Sequence, residues 1–140
     1  MHPFHLAFPV SDLEATRKFY IENLGCPAGR ESAGKWLDFD FFGHQLSAHL
    51  RDVVSSGNSD RGVVDGDAVP IPHFGVVLDT KTFDELAANL IADQSTDWIM
   101  RPKRRMVGDP GEQATMFVRD PSGNALEFKS FADRTALFAS

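Results

Sequence analysis

Short β-prone apolar stretches alternate with stretches of helical period along this chain, and the succession occurs twice. Residues 4–10 (FHLAFPV) are short, apolar and strand-forming. Beyond Ser11 the period changes: Leu13, Thr16, Tyr20 and Leu24 recur at helical spacing, with Ala15 and Phe19 widening the stripe. Ser11 and Glu14 read as an S-x-x-E capping box, in which the hydroxyl accepts from a free amide of the first turn and the carboxylate reaches back. Gly25 stands where a left-handed C-terminal cap is needed. Strands are then expected at 29–33, 36–42 and 45–50, with Gly34 and Gly43 available for the turns. Residues 51–70 turn to Ser, Gly, Asp and Asn with little periodicity, the composition of a solvated connection. The pattern restarts with a strand expected at 71–79. A second capping box, Thr82 with Glu85, precedes Phe83, Leu86, Ala87, Leu90 and Ile91 on one helical face. Strands follow at 98–106, 113–119 and 125–131, the last two joined by the turn-forming Asp120-Pro121-Ser122-Gly123-Asn124. Residues 132–138 read as a short terminal helix.

Side by side, His5-Leu6-Ala7-Phe8-Pro9-Val10 lies over His73-Phe74-Gly75-Val76-Val77-Leu78: a His first, a small residue two later, and a capped helix beyond. The expected fold is therefore α+β, two tandem βαβββ modules forming a curved mixed sheet around a metal-binding cavity. One domain spans 1–140, with modules at 1–52 and 71–131, a linker at 53–70 and a tail at 132–140. Each half alone would leave a sheet face open, and pairing the halves covers it.

Composition narrows the partners. With 42% hydrophobic and 24% charged residues the chain is suited to a packed core. A net charge of −6 argues against nucleic acid, whose binding draws on lysine and arginine displacing counterions. Cys26 is the only cysteine, so no intrachain disulfide can form and a reducing, cytoplasmic compartment is expected. No apolar run approaches the roughly 18 residues that cross a bilayer, and no membrane partner is expected. A homodimer is expected, because exposed sheet edges gain by being closed.

Side chains alternate across a strand, so His5 shares a face with Ala7, His73 with Gly75, His49 with Gln45 and Ser47, and Glu127 with Ala125. Turned inward, these faces would bring three imidazoles and a carboxylate to one place, with small neighbours leaving room for a ligand. Such donors suit Fe(II), Mn, Ni, Zn or Co. A strand histidine taken singly more often faces solvent or serves a structural hydrogen bond. The matched positions of His5 and His73 in the repeat are what favour a metal. Glu127 lies in a mostly apolar strand, where a buried carboxylate needs a strong partner. His5, His49, His73 and Glu127 are thus the expected metal ligands. His44 has the opposite parity and is a candidate proton carrier. Arg105, in the basic run Arg101-Pro102-Lys103-Arg104-Arg105, is a candidate for binding an anionic substrate, beside the plainer reading of a charged strand edge.

These residues resemble the vicinal oxygen chelate superfamily, which includes glyoxalase I, extradiol ring-cleaving dioxygenases, fosfomycin-resistance enzymes and bleomycin-binding proteins. The resemblance is carried by the segment from His5 to Leu13 running into Phe19-Tyr20 and Leu24-Gly25, by Pro72-His73-Phe74-Gly75, and by Asp120 to Phe128. It implies a divalent metal held by His5, His73 and Glu127 and a small substrate with two adjacent oxygens. Glyoxalase I resemblance would put a Glu at position 49, where this chain has His. The extradiol dioxygenases look closer, which implies Fe(II), with Ni, Zn or Mn as other choices, and an oxidoreductase activity. That chemistry also wants an acid/base His and a Tyr, for which His44 or His49 and Tyr20 are the candidates. A glyoxalase-like isomerase or lyase and a non-catalytic binder of a drug or metabolite are the alternatives.

Overall fold

The structure, a computed structural model, describes residues 1–52, 60–64 and 67–139. The chain divides into two compact units, Met1–Ser56 with Asp120–Asn124, and Gly57–Arg119 with Ala125–Ser140. Each is built on one four-stranded mixed sheet.

In the first unit β1 (His5–Val10) leads into α1 (Leu13–Lys18), a π-helical turn (Phe19–Asn23), then β2 (Ala28–Ser32), β3 (Trp36–Phe41) and β4 (His44–Leu50). The strand order is β1-β4-β3-β2, with β1 parallel to β4 and the other pairs antiparallel. Period-two alternation sorts the sheet into two faces. Phe8, Val10, Leu37, Phe39, Phe41, Leu46 and Ala48 are buried on one side with Tyr20, whose ring stacks on Phe39 at 4.9 Å. The other side carries His5, Gln45, Ser47, His49 and Asp38, paired in register as His5 with Gln45 and Asp38 with Ser47.

The second unit begins with a hairpin of β5 (Asp60–Val64) and β6 (Asp67–Ile71) and continues through β7 (Phe74–Leu78), α2 (Thr80–Ala92), β8 (Asp97–Arg105), β9 (Gln113–Arg119) and β10 (Ala125–Phe131). Its sheet has the same order, β7-β10-β9-β8, and the same parallel pair, β7 with β10. A short 3₁₀ helix, Arg134–Phe138, follows. Phe83, Leu86, Ala87 and Leu90 of α2 are buried against β10, and Leu126 and Phe128 are fully buried in that strand. Glu127 is displayed on the opposite side, with its register partner Phe117. The expected α+β fold of two tandem βαβββ modules is present. Among the described residues no helix is long and apolar enough to cross a membrane.

Three local expectations are corrected. The helix caps are aspartates, not the hydroxyls of the S-x-x-E and T-x-x-E boxes: Asp12 accepts from Ala15 N at 2.9 Å and Asp79 from Thr82 N at 2.7 Å, each from extended backbone. A carboxylate also suits the positive end of a helix better than a neutral hydroxyl. Ser11 instead pairs with Ser122, its amide donating to the Ser122 hydroxyl at 2.9 Å. Part of the expected linker is the β5–β6 hairpin, while 53–59 lies outside the described residues. The strand expected at 71–79 is in fact the end of β6 and then β7, so His73 sits one residue ahead of β7.

The turn Asp120–Asn124 is tied to the first unit by side chains. Asn124 Nδ2 donates to Pro9 O at 2.9 Å, and the fully buried Tyr20 hydroxyl donates to Asp120 Oδ2 at 2.9 Å. Asp120 also accepts the backbone amides of Ser122 and Asn124.

Candidate metal centre

In the second unit His73 and Glu127 face each other, with Nε2 of the ring 3.2 Å from Oε1 of the carboxylate. His73 Nδ1 lies 2.8 Å from Pro70 O. A carbonyl can only accept, so Nδ1 carries a proton and Nε2 is the ring nitrogen that faces the carboxylate. The ring also meets Phe117 edge to face at 5.0 Å. Glu127 is buried; its Oε2 accepts from Thr115 Oγ1 at 2.7 Å and has Lys129 Nζ at 3.7 Å. The hydrogen bond to Glu127 raises the His73 pKa, against burial. Burial is the largest influence on Glu127 and pushes its pKa up, but the His73 and Thr115 hydrogen bonds and Lys129 together hold it below the ordinary value. Gly75 permits this arrangement: it pairs with Glu127, and a Cβ there would lie 1.5 Å from Glu127 O.

In the first unit His5 is held in a comparable way. Its Nδ1 lies 2.9 Å from Gln45 Oε1. Gln45 Nε2 donates to Asp38 Oδ2 at 3.1 Å, and Asp38 Oδ1 accepts from Ser47 Oγ at 2.6 Å. With Asp38 accepting from its Nε2, the Gln45 amide turns its oxygen toward His5, so Nδ1 of the ring donates and Nε2 is the nitrogen left without a contact of this kind among the described residues. Anchoring the far ring nitrogen of a histidine to a carbonyl is how ligating imidazoles are oriented in metal sites.

The donor chemistry fits a divalent ion. Two acceptors, Nε2 and Oε1, confront each other, and something positive must lie between them, either a proton or a metal. Ligands at about 2.1 Å from one ion and at right angles stand about 3.0 Å apart, close to the 3.2 Å seen. Among the described residues no three His, Cys, Asp or Glu side chains form a ready metal-binding group. The structure therefore brings together His73 and Glu127 of the expected set.

The other expected site residues lie as follows. His49, on β4, has Trp36 at 6.5 Å between ring centroids and no hydrogen-bond partner among the described residues. Its register differs from that of Glu127: Ala7 pairs with Ser47 as Gly75 pairs with Glu127, so Ser47 answers the glutamate and His49 answers Lys129. His44 Nδ1 accepts from Phe4 N at 2.8 Å. Tyr20 is fully buried, and burial with the neighbouring Asp120 carboxylate drives its pKa well above the ordinary value. Arg105 closes β8 opposite Gln113. The supports Pro70, Thr115 and Asp38 went unread in the sequence, where Gln45 shares the His49 face without a role toward His5. Alternation and the β3–β4 register together would have put Asp38, Gln45 and Ser47 on one face with His5.

Residues 2–128 match the model of the Glyoxalase/Bleomycin resistance protein/Dioxygenase superfamily. The chain belongs to this superfamily. Among solved structures it is similar to a glyoxalase/bleomycin resistance protein/dioxygenase from Alicyclobacillus acidocaldarius, with 35% identity, a TM-score of 0.74, and coverage of 98% of this chain and 96% of that one. Lactoylglutathione lyase from Agrobacterium tumefaciens shares the fold at 17% identity and TM-score 0.63, covering 99% and 97%. So does a genomically encoded fosfomycin resistance protein from Listeria monocytogenes, at 15% identity and TM-score 0.64, covering 93% and 90%. No curated protein matches the chain.

Proposed function

We propose that this superfamily member is a metal-dependent enzyme acting on a small substrate with two adjacent oxygens, and that it is an extradiol-type dioxygenase. The observation that carries the reading is the common anchoring of His5 and His73 through Nδ1, with Nε2 left as the donor and Glu127 already set against His73. His5, His73 and Glu127 are then the ligands of one ion, His5 coming from the same chain or from a second copy. Two imidazoles and one carboxylate are the set that suits Fe(II) with open coordination positions. Ser47 and His49 offer no carboxylate where a glyoxalase would need a second one.

A divalent ion held there supplies Lewis-acid polarisation of the substrate oxygens and, as Fe(II), reactivity with O₂. The protein's own residues orient and relay. Pro70 and Gln45 fix the two rings, Thr115 and Lys129 fix the carboxylate, and His49, on the His5 face with no hydrogen-bond partner among the described residues, takes a hydroxyl proton in this reading. Tyr20 has its hydroxyl committed to Asp120 inside the core, so in this reading it stabilises the fold and does not touch substrate. That loss of the tyrosine favours a second reading, a glyoxalase-like lyase using Ni, Zn or Mn, which needs no O₂. Anaerobic loading with Fe(II) followed by an oxygen-electrode assay with catechols separates them. Oxygen uptake with ring-cleavage absorbance is expected. Hemithioacetal turnover by the Ni or Zn form, without oxygen uptake by the Fe(II) form, would establish the second reading instead.

A further inference from the structure

On the first unit, Ala7, Phe8, Pro9, His49 and Arg51 line a cavity of about 370 Å³ whose lining contains none of His5, His73 and Glu127. That volume lies within the ordinary range of small-molecule pockets. Its walls are apolar at Ala7, Phe8 and Pro9, and its polar groups are one imidazole and one guanidinium. Arg51 is exposed and donates once, from Nη1 to Leu50 O at 2.7 Å; among the described residues no carboxylate pairs with it. Its backbone is fixed separately, the amide donating to Val10 O at 2.8 Å, so the head group is tethered at the end of the β1–β4 pair. An always-charged guanidinium with no ionic partner among the described residues, in a chain of net charge −6, beside an imidazole with no hydrogen-bond partner among them, is a site prepared for an oxyanion.

We propose that this cavity binds the anionic group, a carboxylate or phosphonate, of a ligand with a short apolar body, with Arg51 as the residue that recognises the charge. The role of the ligand as substrate rests on the metal reading above. Alternation places Ala7, Pro9 and His49 on the His5 face, and strand geometry puts residues 7 and 9 roughly 7 and 13 Å from residue 5. Arg51 lies six residues past Gln45, the register partner of His5, so its backbone is roughly 20 Å along the strand from the His5 level and only the reach of its side chain shortens that span.

The test uses the full-length protein stripped of metal with a chelator, so that it is independent of the metal centre. Amide shifts in ¹⁵N-labelled protein are followed while 3-phenylpropionate, phenylphosphonate or the neutral 3-phenylpropionamide is added. Saturable shifts at Ala7, Phe8 and residues 49–51 are expected for at least one anion, with binding of the amide weaker by tenfold or more. Arg51→Gln should weaken the anion tenfold or more while leaving the spectrum elsewhere unchanged, and Arg51→Lys should restore part of it. Equal binding of the amide, an Arg51→Gln variant that binds as wild type, or shifts that map elsewhere would overturn the proposal. Metal content measured on a separate, metal-reloaded Arg51→Gln sample separates this failure from failure of the metal reading.

Discussion

Tyr20 shows how one residue's surroundings can decide its role. The dioxygenase resemblance wants a tyrosine near the substrate, and the sequence offers a single one, Tyr20, on the first expected helix. The structure gives it a core position, stacked on Phe39 and donating to Asp120 across a hundred residues of chain. Its raised pKa means that the folded state keeps the phenol proton, so this contribution to stability is complete below the unfolded value of about 10 and is lost as pH rises through the folded value. With no other tyrosine to confuse the signal, the phenolate ultraviolet band should be missing from the native protein at pH values where the urea-unfolded chain shows it. It should rise only together with alkaline unfolding. A native titration near the ordinary value would place the ring in solvent and return it to the list of site residues. The helix pattern made Tyr20 a core-facing residue, but nothing local announced that its partner lies in the turn before β10.

At the scale of elements, much of the fold was legible because each strand and helix has its own period, and because the repeat lets one half check the other. What local reading missed has physical causes. Asp12 and Asp79 outcompeted the neighbouring hydroxyls as caps because they stand at the last extended residue and bring a charge to the helix start. The β5–β6 hairpin is signalled by Asp65-Gly66 between Val63-Val64 and Asp67, a strong hairpin dipeptide, but that signal is submerged in the polar composition of the segment around it. His49 looked like the partner of Glu127 because both lie on last strands, yet register is set by backbone pairing with β1 and β7, which no single strand reveals. The β7–β10 pair also yields a prediction. Gly75→Ala would drive a methyl group into Glu127 O, so the two strands must part. A loss of about 1–3 kcal/mol or more in urea unfolding is expected, together with weaker metal uptake, since the displaced residue is the carboxylate ligand. Wild-type stability and wild-type metal uptake in this variant would contradict the register on which the centre depends.

For the whole molecule the open quantity is where His5 acts. Strands β1 and β2 are the outer strands of one sheet and β7 and β8 those of the other, and outer strands are where a second copy can add. If the ion is shared across a homodimer, mixing a His5→Ala chain with a Glu127→Gln chain creates one intact site in each heterodimer, although each variant alone has none. Recovery of metal in the refolded mixture is expected, and light scattering should give twice the chain mass. A mixture as empty as its parents would place all three ligands in one chain.

The central claim, that His5, His73 and Glu127 hold one divalent ion, is tested most directly by elemental analysis of anaerobically loaded and dialysed protein. One ion per chain is expected for the wild type, with occupancy near zero in His5→Ala, His73→Ala and Glu127→Gln and retained in His49→Ala. Full occupancy surviving both His73→Ala and Glu127→Gln would contradict it.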